Sequence, residues 1–373
     1  GSVPVGSYTC AAAHYPFCAA TFDAVNKTFT HTWGDAYCST DLAAYDFMFS
    51  TVYETPFVVD ETTTVLPIAL TFRPLMARIG MKLALGANET PKYVTFTTDD
   101  NVLPTAGTVN ADGTFSASAL TNSLTVETDR KEFTVGLLPV GVASKMSVHV
   151  TTTDGMTYSD KSFQLAGLKR NTHYTMNVPC RTKRFMLTVP DGVNSKYGTG
   201  TYGDNGFFQV EPQYDPESIF DGWHFLRSEI KSDKDAADGD VLKNRNRIQL
   251  QAVSLGTNRA QNGAFVTPPI QCDGTKTVTV SFTAATNKLT VGSVQYRIGV
   301  TNNGADISEN FLRSFDNIQS SLEGECPWKH SGSVSRTHTF TVTNGQRIMM
   351  KVYSSGGGTP CHLELADFTY TVE

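Results

Sequence analysis

The residues with the clearest chemical potential are two aromatic groups in predicted loops. Trp223 is followed by His224, and Trp328 lies two residues before His330. An exposed indole stacks on the apolar face of a sugar ring while neighbouring polar groups bind its hydroxyls. The same indoles also suit the ends of a β-sandwich core, because tryptophan is highly buried on average. Two interpretations therefore stay open for these four residues: ligand binding, or packing of the core.

Acidic residues in the second half offer cation binding as a second kind of chemistry. Glu211 and Asp367 lie in predicted strands, where they are candidates to share one structural calcium ion. Segment 233–240 is rich in aspartate, but its third acid falls one residue late for an EF-hand loop, and position twelve is Asn244 rather than glutamate. We interpret that segment as a solvated acidic loop. A structural calcium is thus the one cofactor that the sequence suggests.

Signatures of catalysis are missing from the sequence. It contains no nucleophile elbow, no zinc-protease helix motif, no phosphate-binding P-loop and no dinucleotide fingerprint. Acid pairs such as Asp99-Asp100, or Glu211 with Glu217, are by default surface carboxylates, since a glycosidase pair is defined by its separation across a cleft. We therefore expect that the protein is not an enzyme.

Composition narrows the class further. The chain has 373 residues, of which 18% are charged and 40% hydrophobic, so it can fill packed cores. Its net charge of −6, without a concentrated basic face, argues against nucleic-acid binding. No stretch reaches the roughly 18 consecutive apolar residues of a membrane helix.

The cysteine pattern favours thiols over a metal site. Seven cysteines leave at least one unpaired within the chain, and none forms a Cys-x-x-Cys pair. A disulfide between Cys10 and Cys18 remains open, while buried free thiols are the simpler interpretation for most of the others.

The elements that must position these residues are strands, because strand patterns are frequent along the chain. Runs such as Val94–Thr98, Thr277–Phe282 and Thr337–Val342 alternate apolar and polar side chains, and Gly, Asn and Asp separate them. Only segments 41–49 and 308–322 suit short helices. The predicted fold class is therefore all-β, built from β-sandwiches.

A domain boundary is predicted near residues 179–191, where Pro179 and a small basic cluster are typical of an exposed connector. It divides the chain into domains 1–183 and 184–373. The order of elements in the second domain predicts a jelly roll of two antiparallel sheets, similar at the level of pattern to carbohydrate-binding jelly rolls. Its last strand, 361–372, alternates strictly and belongs to the sandwich, so that we expect no spare C-terminal donor strand.

Several segments of the first domain carry a family resemblance. They are Asp46-Phe47-Met48-Phe49-Ser50, the run Val65–Leu83 with its Arg73-Pro74 kink, the closing strand Leu165–Val178, and the early strand Val3–Ala12. In their order along the chain, these segments resemble the fimbrillin family, which comprises pilins and pilus-associated surface lipoproteins of Bacteroidetes. The resemblance implies a transthyretin-like first sandwich, extracellular location at the outer membrane or in the fimbrium, and a lipid anchor in the precursor. It also implies assembly with other pilus subunits by donor-strand complementation, in which a partner's strand fills an open sheet edge.

The N-terminal region departs from the family pattern. By comparison with the family pattern, we expect that the opening strands are missing before Val3, as if the chain were truncated or matured. Family members mature by cleavage after Arg or Lys, and Lys27 is the one basic residue before Arg73. If the chain is not already matured, that step is in doubt.

Three functional hypotheses follow. The first is a fimbrial tip or accessory subunit in adhesion, with a jelly roll that binds a host or dietary glycan. The second is a structural pilus subunit without a ligand. The third is a glycan-capturing surface lipoprotein.

Overall fold

Strands form nearly all of the regular structure, which confirms the predicted all-β class. The computed structural model describes residues 4–15, 20–34, 37–42, 47–63, 67–110, 112–189, 194–196, 222–231, 242, 245–252, 262–287, 293–301, 307–327, 332–355 and 361–373. The chain divides into two units. The first comprises 1–85, 90–152 and 158–181, and the second comprises 86–89, 153–157 and 182–373. The second unit therefore includes two short segments that the sequence analysis placed in the first domain.

The first unit contains sixteen described strands. They are β1 Gly6–Tyr8, β2 His14–Tyr15, β3 Thr21–Asp23, β4 Thr28–Thr32, β5 Met48–Ser50, β6 Phe57–Val59, β7 Phe72–Pro74, β8 Ala77–Ala84, β9 Pro91–Thr98, β10 Leu103–Val109, β11 Phe115–Thr121, β12 Ser123–Glu127, β13 Glu132–Leu137, β14 Ser144–Thr152, β15 Thr157–Leu165 and β16 His173–Pro179. Two sheets matter most for the site: β12-β9-β14-β15 and β13-β8-β16. The remaining strands form the sheets β11-β10-β4-β3, β2-β5-β7 and β1-β6.

Period-two alternation positions these strands. In β8, Ala77, Ile79, Met81 and Leu83 are buried, whereas the residues between them are half-buried or exposed. The buried side chains on this face of β8 meet in one core with Val94, Phe96, Val148 and Val150 from β9 and β14 of the facing sheet. Burial of this face, rather than local propensity, therefore fixes the register, because a one-residue slip would turn every apolar side chain to solvent.

The second unit is a sandwich of two antiparallel sheets. Its elements are β17 Lys183–Met186, β18 Asn194–Lys196, β19 His224–Leu226, β20 Ser228–Lys231, β21 Arg247–Ala252, β22 Ala264–Val266, β23 Thr275–Asn287, β24 Ser293–Thr301, helix α1 Glu309–Arg313, β25 Gln319–Pro327, β26 Val334–Thr343, β27 Arg347–Ser355 and β28 Cys361–Val372. One sheet has the order β19-β22-β27-β24-β25. In the other, β28 pairs with β17 and β21 along one edge and with β23 along the opposite edge, and β23 pairs with β26.

The interior of this sandwich is rich in large side chains. Phe225, Phe265, Tyr296, Phe368 and Tyr370 are all fully buried between the sheets. The last strand supplies two of these rings from its inward-facing positions. β28 is therefore an integral central strand of the sandwich.

The helix predictions were only partly right. Within 308–322, the helix is limited to Glu309–Arg313, where the Ser308 side chain accepts a hydrogen bond from the Phe311 N–H. The end of that segment, from Gln319, belongs to β25. In the other predicted helix, 41–49, Met48 and Phe49 lie in strand β5, and residues 43–46 lie outside the described residues. No helix among the described residues has the length and apolar character needed to cross a membrane.

A buried ion cluster joins the short segments of the second unit. The Lys183 ammonium lies 2.6 Å from Asp154 Oδ2 and 3.0 Å from Glu89 Oε1, and it donates to the Gln271 carbonyl. The Gln271 N–H donates to the same Asp154 oxygen at 2.9 Å. Nearby, Asp273 accepts hydrogen bonds from the main-chain N–H groups of residues 87 and 88. Charges this deeply buried are tolerated because each is paired and hydrogen-bonded.

Candidate strand-binding groove

An open edge strand is the feature of the first unit with the clearest binding potential. In the described chain, β16 pairs with β8 alone, in parallel, with His173 opposite Arg78 and Pro179 opposite Ala84. The Arg78 N–H donates to the Thr172 carbonyl at 2.9 Å. In a parallel ladder, this register directs the N–H and C=O groups of Thr175 and its alternate neighbours away from β8. β16 therefore presents a row of main-chain donors and acceptors beside its sheet.

An apolar groove runs beside this edge. It has a volume of about 560 Å³ and lies between β16 and β15. Apolar side chains from β8, β14, β15, the following turn and β16 line it: Ile79, Met146, Phe163, Leu165, Leu168, Tyr174 and Met176. Tyr174, Met176 and Phe163 are half-buried, so that part of each side chain remains open to an incoming group.

The walls of the groove are held by local hydrogen bonds. The Tyr174 hydroxyl accepts from the Lys169 N–H at 3.0 Å, and Val140 and Leu168 exchange main-chain hydrogen bonds of 3.0 and 2.9 Å. Gly167 has a φ of +117°, and a Cβ there would lie 2.9 Å from the Val140 carbonyl oxygen. Glycine is thus required for the turn that closes this wall. The groove is preformed and combines an apolar floor with an unpaired strand edge.

Trp223, predicted as a sugar-stacking residue, belongs to the core of the second unit. It is 2% exposed, and its ring packs against Phe185 at 4.9 Å and Phe265 at 5.5 Å between ring centroids. An indole enclosed in this way presents no face to a sugar. Of the two interpretations left open for Trp223, the structure favours packing of the core.

Of the other predicted ligand-binding residues, His224 is the one that lies within the described structure. His224 is half-buried on the opposite side of β19 and pairs with Val266 in the register of the sheet. Trp328 and His330 lie outside the described residues, so their ligand role stays a prediction.

The calcium prediction is likewise untested. Asp367 is an exposed residue of β28 with a φ of +51°, and it forms an ion pair with Arg245. Glu211 and the acidic segment 233–240 lie outside the described residues. The described residues hold no group of three or more potential metal ligands.

None of the five cysteines whose side chains the structure describes forms a disulfide. Cys38, Cys272 and Cys326 are buried, and Cys10 and Cys180 are half-buried. Burial raises the pKa of the Cys38 thiol to about 12 and that of Cys326 to about 11. Both therefore stay protonated at neutral pH, which suits packing rather than nucleophilic chemistry.

The chain thus folds into two units, and the first carries an open strand edge beside an apolar groove. A family model described as fimbrillin-like matches residues 5–191, just over half of the chain. The chain therefore belongs to the fimbrillin-like family. This family comprises cell-surface proteins of the fimbrial or adhesion type, whose character is structural rather than enzymatic.

Several solved structures are similar to the chain. A proposed cell adhesion protein from Bacteroides uniformis shares 16% identity over 45% of this chain and 66% of its own, with a TM-score of 0.32. Another from Bacteroides ovatus shares 21% identity over 48% of this chain and 64% of its own, with a TM-score of 0.31. The C-terminal CBM6 of a marine laminarinase from Zobellia galactanivorans shares 8% identity over 43% of this chain and 96% of its own, with a TM-score of 0.24.

The chain thus spans slightly less than two thirds of the two adhesion proteins. No curated protein matches it.

Proposed function

We propose that this protein is a fimbrial tip or accessory subunit that joins its pilus by accepting an extended strand from another subunit. The observation that carries the proposal is the free edge of β16 beside the apolar groove. An incoming strand pairs with the outward main-chain groups of β16, and every second side chain fills the space beside Tyr174 and Met176. Main-chain pairing supplies affinity, and the groove selects apolar side chains at alternate positions.

The pairing of β28 supports an accepting role. This strand is hydrogen-bonded on both sides within the second unit, so it is not free to act as a donor. β28 therefore belongs to the sandwich of its own subunit. We place the protein at a fibre end, exposed at the cell surface and tied to the outer membrane through its partners or a lipid anchor in its precursor.

The test measures incorporation into fibres in cells that produce the protein. Strand-complemented assemblies are kinetically stable, so wild-type protein should appear in high-mass bands that resist SDS until heated. Met176→Asp places a charge in the groove and should remove at least about 90% of that signal, because a desolvated carboxylate is costly. Met186→Asp is the matched control, since Met186 is a 59% exposed methionine of β17.

A second variant addresses the edge itself. Thr175→Pro removes one outward N–H of β16 without removing a hydrogen bond to β8, and it should also weaken incorporation. Circular dichroism and thermal melting establish that each variant is folded. Folded groove variants that enter SDS-resistant bands as well as wild type would overturn the proposal, as would wild-type protein that enters none. Antibody labelling along fibre shafts, rather than at their ends, would refute the terminal position.

A further inference from the structure

A small polar pocket lies on the outer face of the five-stranded sheet in the second unit. It has a volume of about 200 Å³ and is lined by Gln295, Glu323, Glu325 and Tyr353, with Tyr296 and Gly324 beside them. The groups come from three adjacent strands: β24, β25 and β27. None of them belongs to the groove in the first unit.

Strand register brings these groups together. Gln295 lies opposite Glu325, and Arg297 lies opposite Glu323. The residues between them, Val294 and Tyr296, are fully buried in the sandwich core, so Gln295 and Arg297 must project from the outer face. Two carboxylates, an amide and a guanidinium therefore share one patch of the sheet.

A network of contacts fixes the aromatic wall of the pocket. The Arg297 guanidinium lies 5.5 Å from the centroid of the Tyr353 ring and 5.5 Å from that of Phe315. The two rings meet edge to face at 5.4 Å. Arg297 Nη2 also donates to Glu323 Oε1 at 2.9 Å. Such a wall loses little conformational freedom when a ligand binds, and this favours affinity.

The charge of the pocket indicates which ligands it accepts. Arg297 neutralises Glu323, and Arg336 donates to the main-chain oxygen of Glu325 at 2.6 Å rather than to its carboxylate. The exposed Glu325 side chain has no ion-pair partner in the described part of the chain. A carboxylate accepts hydrogen bonds from ligand hydroxyls, and an amide both accepts and donates them. A carboxylate or sulfate on the ligand would be repelled by the negative charge of Glu325. Calcium fits poorly, because it needs six or more oxygen ligands.

We propose that this pocket binds one pyranose unit of a neutral or amino-sugar glycan. Tyr353 packs against the apolar face of the sugar, and Gln295 and Glu325 hydrogen-bond to its hydroxyls. The proposal adds a ligand class and a site to the proposed fimbrial subunit, and it rests on that proposed function for its purpose. A single ring in a shallow pocket binds weakly, so many copies on a fibre or cell surface are needed for adhesion.

The experiment uses full-length protein displayed on beads, to supply multivalency, and an array of immobilised glycans. The array carries terminal galactose, glucose, mannose, N-acetylhexosamines, hexosamines, uronic acids and sialic acid. We expect saturable binding to one or more of the neutral or amino sugars and none to the acidic ones. Glu325→Gln and Tyr353→Leu should each weaken binding by at least about tenfold, while Tyr353→Phe should stay within about threefold because its ring is retained.

The controls separate this proposal from that of the groove. Glu127→Gln changes an exposed glutamate of β12 in the same way and should leave glycan binding unchanged. The pocket variants should still enter SDS-resistant fibres, and Met176→Asp should still bind glycan. Lack of binding to any neutral or amino sugar would overturn the proposal, as would preference for acidic glycans or binding that folded Glu325→Gln and Tyr353→Leu proteins retain.

Discussion

At the scale of single residues, two buried lysines of the second unit differ in how their charge is compensated. Lys183 is paired with Asp154 and Glu89. Lys351 is also fully buried, but its ammonium donates to the Asn262 carbonyl at 3.2 Å and lies 5.2 Å from the Phe315 ring centroid, with no carboxylate at ion-pair distance among the described residues. Burial, with the neighbouring Arg227 and Arg313, lowers the pKa of Lys351 to about 7.

Lys351→Met should therefore stabilise the protein at low pH. The unfolded-state pKa of a lysine is about 10.4, so the unfolded chain binds more protons than the folded one between about pH 7 and pH 10. The cost of burying the charge is complete below pH 7 and falls as the pH rises. We expect the variant to be more stable by about 2–4 kcal/mol at pH 6, and the difference to shrink to within about 1 kcal/mol at pH 10.

Urea unfolding of both proteins at several pH values measures this difference, and their subtraction removes the contributions of other titrating groups. A variant that is less stable than wild type at pH 6 would contradict the expectation. It would show that the ring and carbonyl contacts outweigh desolvation.

Lys183→Met should have the opposite effect. Removing this ammonium leaves the Asp154 and Glu89 carboxylates buried without their counter-charge, at a cost of about 3–5 kcal/mol at neutral pH. Lys82→Met is the control: Lys82 pairs with Glu132 at 2.9 Å, yet both side chains are well exposed, so its loss should cost less than about 1 kcal/mol. Equal midpoints of urea unfolding for these two variants would contradict the interpretation of the buried cluster.

At the scale of elements, β25 depends on a glycine beside a buried ring. A Cβ at Gly324 would lie 2.1 Å from the Tyr296 ring, whose hydroxyl is hydrogen-bonded to His338 at 3.0 Å. Gly324→Ala should therefore displace the ring or the strand and cost about 1–3 kcal/mol. At Gly332 an added Cβ meets nothing within 4 Å, so Gly332→Ala should melt near the wild-type temperature. A Gly324→Ala protein that melts there too would disprove the close contact.

The elements were more predictable than the sites. Alternation predicted the fold class and strands such as β28, because one buried face imposes a period of two on each sequence segment. Alternation could not show whether a residue next to the end of a strand, such as Trp223 before β19, faces the core or the solvent. Gln295, Glu325 and Tyr353 lie far apart in sequence, and only the pairing of β24 with β25 and β27 brings them together. An open sheet edge was expected only as a general property of the family. The sequence could not assign it to β16, because the order of the strands in the sheet decides which strand lies at an edge.

At the scale of the whole molecule, the two proposed binding sites lie in different units, so their functions should separate. Met176→Asp should lose SDS-resistant incorporation and keep glycan binding, while Glu325→Gln should do the reverse. The double variant should lose both, each by the same factor as in the single variants, because sites that share no residues or partners act additively. Cell adhesion to a glycan surface requires both activities, so each single variant should abolish adhesion for a different reason. Adhesion that survives in the Met176→Asp cells would show that the protein reaches the surface without strand complementation, as a glycan-capturing lipoprotein would.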